Sequence, residues 1–596
     1  ESFSITNPFN TVKNSENISA DAVYKNGVVY TVNPKQPWAD AFAVKNGKFI
    51  TVGSQADVSS FIGEKTETID LEGKFVMPGM GDMHQHWDMG PLQEKQGWLT
   101  VEGMPPYPDE LKTIILEYAE KNPDMEWIIG RNGCWFDEMF VEAGVKPGCA
   151  WLDSFIPDRP VALQDIQGHI IMANSLAMEL AGITFETADP TNGVIMRDER
   201  GQPTGILSDG AQTLIMRTWP LPSHRLHVET FYEQSRRMNS FGLTMIKLVH
   251  SRIPSLEALR ELDLKYNLHL WMDVFTSWKD DIYPVPGLWE FMAGKRFYYV
   301  TRHVNPLGIK WHHDGTVAAG SGYSLEPYAD CSDIDCGEDL CGRTNMTFEE
   351  TVETIAHLDS LNLPVVAHAV ADGSVRMLLD AVEIVRERNG NSDTPHTISH
   401  CYVVQPEDMP RFASLNVFAE VATGFAWFNF GSESFIRRLG DRIIPHFFPV
   451  KGLVDAGATV IPGSDYTVGT SPRPLEAMEN YITRKRPSSN LSIIDSTSDT
   501  PMGKGITLEQ AIQILTMNCA QVLGRSDKTG SIEVGKSADF VILGQNLFEI
   551  SPEKISETEV FKTVFEGEAV FDASKENPYN EKLHLDIGKL EKGCFC

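Results

Sequence analysis

His84 and His86 stand one residue apart, after the apolar run Phe75-Val76-Met77 and the turn Pro78-Gly79. Side chains on a strand alternate with a period of two, so both rings leave one face and can grip a single metal ion. Alone, His-x-His is a weak signal, and its weight depends on whether further ligands follow downstream. Lys310 closes Leu307-Gly308-Ile309, His368 closes Val365-Val366-Ala367, His400 closes Thr397-Ile398-Ser399, and Asp465 closes the run from Ala458 to Ser464. Four histidines and a carboxylate suit zinc or a similar borderline divalent ion. Each has an ordinary alternative: His368 and His400 as buried core histidines, Asp465 as a helix cap, Lys310 as a lysine stretching from a rim. Placed together after successive apolar runs, the set is stronger than any member. Lys247, which ends Thr244-Met245-Ile246, is the weaker second candidate for the lysine position.

The elements that must position these residues lie within 80–526, where short apolar runs alternate with amphipathic helical patterns. Thr347-x-x-Glu350 reads as a capping box before a helical stripe of Val352, Ile355 and Ala356. The strand ending at His368 follows, then a helix with Val375, Leu378, Leu379, Val382 and Val385 on its buried face. Repeated βα units predict a (β/α)8 TIM-like barrel, whose catalytic residues sit at the C-terminal ends of its strands. Outside it, Asn26-Gly27 and Asn46-Gly47 between β-rich runs signal hairpins. The same texture returns over 527–575, which predicts a small composite β-sandwich from 19–79 plus 527–575. Residues 1–18 read as an extended arm and 576–596 as a charged tail.

The 596 residues carry 51 Lys and Arg against 82 Asp and Glu, a net charge of −31. Such a surface repels nucleic acid and anionic lipid, so neither is an expected partner. No run of eighteen apolar residues occurs, and no membrane span is expected. Cys331, Cys336 and Cys341 crowd one polar loop, which can hold a disulfide or free thiols; the spacing lacks the C-x-x-C pair of a zinc knuckle. A start at Glu1 and this cluster together point to a processed periplasmic or secreted protein, with a cytoplasmic one as the alternative.

The motifs are jointly specific. Met77-Pro78-Gly79 runs into His84-Gln85-His86, and Gly168-His169 is followed by Asn174-Ser175. Gly308-Ile309-Lys310 precedes Asp314-Gly315, and Ala367-His368, Ile398-Ser399-His400 and Gly463-Ser464-Asp465 follow. With Gly530 to Asp539 near the end, the chain resembles the amidohydrolase superfamily over about residues 20–575, in the branch that includes N-substituted formamide deformylases (amidohydrolase family 3). The resemblance implies one or two divalent ions, Zn2+ foremost. His84, His86 and Asp465 would hold the deeper ion, and His368 and His400 the second. Lys310, carboxylated by CO2, would bridge them. It implies hydrolysis of a C–N bond in an amide, N-substituted formamide or cyclic amide by metal-activated hydroxide, with Asp465 moving the proton. By analogy it also implies a homodimer.

Three departures bear on the second metal. Trp311-His312-His313 is more polar than in relatives, Ser399 stands where a glutamate is common, and Val370-Ala371 replace glycine before Asp372. Either His312 or His313 could reach the metal or substrate, or both could sit on the rim. His169 matches a family motif and is the candidate oxyanion donor, the second catalytic residue beside Asp465. Trp87, Asp88, Asp314 and Trp427 are candidate pocket residues, together with the aromatic stretches Cys134–Phe136 and Phe425–Phe430. Arg473 is a candidate carboxylate binder or a surface residue. The Cys-rich loop after Lys310 is a candidate lid. The same site could serve ester hydrolysis, decarboxylation or isomerisation, and a non-catalytic metal-binding protein is the remote alternative.

Overall fold

The computed structural model describes residues 19–575 apart from 102–106, 132–139, 141–142, 166–167, 191–192, 279–286, 318–319, 333–335, 391, 423–434, 470, 486 and 488–503. Eight parallel strands form a nearly closed barrel: β1 (Met80–Gln85), β2 (Leu243–Ser251), β3 (Trp271–Ser277), β4 (Val304–His312), β5 (Val365–Ala369), β6 (Thr397–His400), β7 (Phe418–Ala422) and β8 (Val460–Gly463). At the seam the His86 N–H donates to the Tyr466 carbonyl at 2.6 Å. Asp82 reinforces the join, accepting from the Ser464 N–H at 3.0 Å. These strands are buried almost throughout, as expected for parallel strands covered by helices.

The helices follow their local chemistry. Phe348–Ser360 starts at Thr347, whose Oγ1 accepts from the Glu350 N–H at 3.2 Å while Glu350 Oε2 accepts from the Thr347 N–H at 2.8 Å. Asp372–Asn389 ends at Gly390, whose φ of 78° lies in the left-handed region that favours glycine at a helix end. Both helices pack their apolar stripes onto the barrel, in one large core shared with β2 to β8.

Two further layers surround the barrel. The N- and C-terminal segments form the sandwich, in which Phe540–Leu543 runs antiparallel to Phe75–Pro78. Phe42, Phe49 and Phe540 pack edge-on and tilted in its core. Since Phe75–Pro78 leads straight into β1, the sandwich anchors the strand that carries His84 and His86. The second layer is one the sequence reading did not separate from the barrel. Between β1 and β2 lies a six-stranded sheet, ordered Gly193–Arg197, Pro203–Asp209, Ile170–Ala173, Val161–Gln164, Ile128–Arg131 and Leu99–Thr100. It has an apolar cluster of its own around Leu111, Ile128 and Leu163, and another around Ile129, Ile171 and Leu207. No helix among the described residues is long and apolar enough to cross a membrane.

Candidate active site

The C-terminal ends of the barrel strands bring together every residue expected to bind metal. His84 and His86 come from β1 and its end, Lys310 from β4, His368 from β5, His400 from β6, and Asp465 from the turn after β8. His84 Nδ1–H donates to Glu420 Oε2 at 2.7 Å, and His86 Nδ1–H donates to the Val249 carbonyl at 3.1 Å. Both rings therefore turn Nε2 inward. Asp465 Oδ1 lies 2.9 Å from His86 Nε2 and 3.4 Å from His84 Nε2. With their protons committed at Nδ1, these nitrogens are acceptors facing an acceptor oxygen. Only a cation or a proton between them makes the spacing favourable.

The second half of the site repeats the device. His368 Nδ1 is 2.9 Å from Asp314 Oδ1, which holds that ring by a carboxylate. Asp314 is itself seated by the Val370 and Ala371 N–H groups, so these two residues act here through their backbone. His400 Nδ1 is buried with no hydrogen-bond partner among the described residues. Lys310 Nζ is 3.3 Å from His84 Nε2. Burial, with neighbouring positive groups, holds His84 and His400 far below the usual histidine range, and it lowers His368 despite Asp314. Neutral imidazoles are what metal binding needs. Burial also brings the Lys310 ammonium down to about 8, the state from which a lysine can take up CO2. The orphaned nitrogen, the facing acceptors and the N/O donor set fit one or two divalent ions.

Three residues of the site escaped the sequence reading. Glu420, on β7, is fully buried behind His84 and also accepts from Ser399 Oγ at 2.6 Å. Ser399 and His84 thus share one carboxylate from the next strand. A lone acid in Phe418-Ala419-Glu420-Val421-Ala422 was the available signal. A Cβ at Gly463 would strike that carboxylate and lie 2.9 Å from the His84 Cβ, so β8 needs glycine there. His250 lies at the C-terminal end of β2 after the apolar pair Leu248-Val249, just as His368 follows its own apolar run. It completes a circuit of rings: His84–His86 at 5.1 Å, His86–His250 at 6.3 Å, His250–His312 at 5.2 Å, His312–His368 at 5.4 Å, His368–His400 at 4.5 Å and His400–His84 at 4.9 Å. His250, His400 and Asp465 have positive φ values of 61°, 75° and 54°, uncommon for side-chain-bearing residues and typical of places where surrounding structure enforces a geometry.

Asp209 is the third. It ends Pro203–Asp209, and its Oδ1 lies 2.7 Å from Nδ1 of His169, at the start of the neighbouring strand Ile170–Ala173. Burial opposes the charged ring, but the Asp209 hydrogen bond and charge outweigh it and raise the His169 pKa. The inserted sheet thus turns this imidazole, whose charged form Asp209 favours, towards a cavity of about 740 Å3 that also reaches His84, His86, Lys310, His368, His400 and Asp465. Asp88, His312 and Asp314 line it too.

Other expected pocket residues lie elsewhere. Trp87 is fully buried, packs on Phe231 and donates its indole N–H to Gln85 Oε1 at 2.7 Å, because the residue after His86 points into the helical layer. His313, past the end of β4, is sealed against Ser374 Oγ at 2.6 Å, and burial lowers its pKa to about 3. Arg473 is 3.5 Å from Glu476 on its own helix, away from the cavity. Lys247 lies deeper in the barrel, 3.3 Å from Thr397 Oγ1. Trp427 and the two aromatic stretches lie outside the described residues. The loop after β4 contributes Asp314, Thr316, Ser321, Arg343, Thr344 and Asn345 to the cavity wall and carries a Cys331–Cys336 disulfide, with Cys341 free.

The amidohydrolase family profile matches residues 67–571. Protein LONG AFTER FAR-RED 3 of Arabidopsis thaliana is 28% identical over 89% of this chain and 88% of its own. N-substituted formamide deformylase of Arthrobacter pascens is 25% identical over 92% and 97%. An uncharacterized metal-dependent hydrolase from Pyrococcus horikoshii shares the fold, with a TM-score of 0.67, 21% identity, and coverage of 89% of this chain and 99% of that one. On the match across its length, this chain belongs to the amidohydrolase family, whose members generally use divalent metal ions.

Proposed function

We propose that the chain hydrolyses the C–N bond of a small amide, N-substituted formamide or cyclic amide. The observation that carries this reading is the convergence of four imidazoles, a buried lysine and a carboxylate on one cavity at the strand ends. In this reading His84, His86 and Asp465 hold one divalent ion, and His368, His400 and a carboxylated Lys310 hold a second. When bound, such ions acidify water near neutral pH and polarise a carbonyl.

The remaining work falls to the chain's own groups. Asp465, hard against His86, takes the proton of the attacking water and returns it to the leaving nitrogen. His169, whose charged form Asp209 favours, donates to the oxygen on which charge develops. Glu420 and Asp314 accept the Nδ1 protons of His84 and His368 and so fix the direction of each Nε2.

The test is to load purified protein with Zn2+, count ions per chain, and present a panel of amides in 18O-labelled water. Retention of one or two ions and label in the acid product are expected. Protein that carries the metal yet labels no product, or that retains no metal at all, overturns the reading.

A further inference from the structure

Two histidines of the ring circuit take no part in the proposed metal site. His250 comes from the end of β2 and His312 ends β4, and both rings are half-buried and line the cavity. They lie between the two halves of that site: His250 is 6.3 Å from His86, His312 is 5.4 Å from His368, and 5.2 Å separates the pair. Backbone contacts fix both positions. The carbonyl of Val249, just before His250, accepts from His86 Nδ1, and the His312 carbonyl accepts from Asn345 Nδ2 at 2.7 Å. The rings themselves are uncommitted. His84, His169 and His368 each rest on a carboxylate, but no hydrogen bond holds the ring of His250 or His312 among the described residues. Burial, with Arg252, His86 and Lys310 around His250 and with His250, Lys310, His368 and His169 around His312, holds both well below the usual histidine range. A neutral imidazole still has one N–H to donate. The groups whose charge acts on the pair are basic throughout, and Arg252 and His169 keep that sign when Lys310 is carboxylated. Among the described residues, the four carboxylates of the cavity wall are engaged elsewhere: Asp465 with His86, Asp314 with His368, Asp209 with His169, and Asp88 with the Ser255 hydroxyl.

We propose that His250 and His312 together receive a carboxylate carried by the substrate, one N–H from each ring, while the amide lies at the metal-binding residues. Hydrogen bonds to an ionised acceptor are the stronger class, and basic surroundings favour an anion there over a neutral amide or hydroxyl. His312, rather than the sealed His313, is then the histidine after Lys310 that meets the substrate. The inference rests on the amide-hydrolysis reading and narrows it to amides that also bear an acid group a short chain away, such as N-formyl amino acids.

The test uses zinc-loaded full-length protein and the N-formyl derivatives of glycine, β-alanine and 4-aminobutyrate. Each acid is paired with its terminal carboxamide, which matches it in shape and lacks its charge. The kcat/KM of the best acid should exceed that of its carboxamide by at least about tenfold, the effect of a hydrogen bond to a charged group. His250→Asn suits the positive φ of 61° at that position and withdraws the donor, and His312→Asn withdraws the other. Each should lower the acid-to-carboxamide ratio by at least about threefold with the metal content unchanged. Equal turnover of acids and carboxamides overturns the inference and leaves the hydrolysis reading standing. So does a ratio that stays the same in either variant, or a loss of metal in either, which would make that ring a ligand. If no acid or carboxamide is cleaved, the hydrolysis reading fails, and calorimetric titration with the same compounds still decides the pair. Acid binding that weakens at least about threefold in both variants at constant metal content supports it, and acid binding that is absent or unchanged overturns it.

Discussion

Glu420 Oε2 lies 2.7 Å from His84 Nδ1, while the opposite nitrogen of that ring faces Asp465 at 3.4 Å. The carboxylate sets the tautomer and, in the proposed metal site, would make Nε2 the ligand atom. Burial pushes the Glu420 carboxyl up to about 8, and Glu420→Gln keeps the size and one acceptor oxygen but can never ionise. Metal affinity should fall about 10- to 100-fold, read by competition with a chelator. Unchanged affinity would show that Glu420 only fills space.

This pairing also shows where the sequence is informative. His84, His86, Lys310, His368, His400 and Asp465 were legible because each ends an apolar run, and a parallel barrel places all such ends on one rim. Glu420 was missed because it sits inside its run, where nothing local distinguishes a polar interior position from a flaw in the strand. Asp209 was missed for another reason: its partner His169 is forty positions away, and only the pairing of Ile170 with Ser208 puts them side by side. Trp87 and His313 were placed in the pocket on nearness in sequence to ligands, which alternation contradicts. The inserted sheet was invisible because its short strands share the apolar texture of barrel strands.

Asp465→Asn should separate binding from proton transfer. Asparagine retains an oxygen ligand beside His86 but cannot carry the proton, so much of the metal should stay while kcat falls at least about a hundredfold. Full activity with full metal content would remove Asp465 from the proton's path.

The two buried lysines should behave differently. Lys310 lines the cavity 3.3 Å from His84, whereas Lys247 contacts Thr397 deeper in the barrel. Lys310→Ala should lower the metal content by about one ion per chain if a carboxylated lysine bridges two ions, and added short carboxylic acids should restore part of both metal and turnover. Lys247→Met should retain the metal. The reverse pattern would move the bridging role to Lys247.

The His169–Asp209 pair predicts the alkaline side of the pH profile. A raised pKa means that the imidazolium persists above the usual histidine range, and its contribution is lost as pH rises through the raised value. Asp209→Asn removes the raising influence and leaves burial, which lowers. The alkaline limb should therefore move to lower pH. His169→Gln should abolish that limb and reduce kcat by about 10²- to 10³-fold. An alkaline limb that stays in place in both variants would assign it to another group.

Trp87 tests the division between core and cavity. It adjoins His86 in sequence, yet its ring is fully buried against Phe231 and its N–H is satisfied by Gln85. Removing such a ring leaves a cavity that the surrounding helices cannot fill. Trp87→Ala should destabilise the fold by roughly 3–5 kcal/mol, seen in denaturant unfolding, whereas Trp87→Phe should lose much less. Gln85 holds Trp87 through Oε1 and Asp82 through Nε2, at 2.6 Å, and Asp82 ties β1 to β8. Part of the loss should therefore be felt at the seam that carries His86 and Asp465, as weaker metal retention rather than an altered preference among substrates. A stable Trp87→Ala protein with a changed substrate profile would instead return this residue to the pocket.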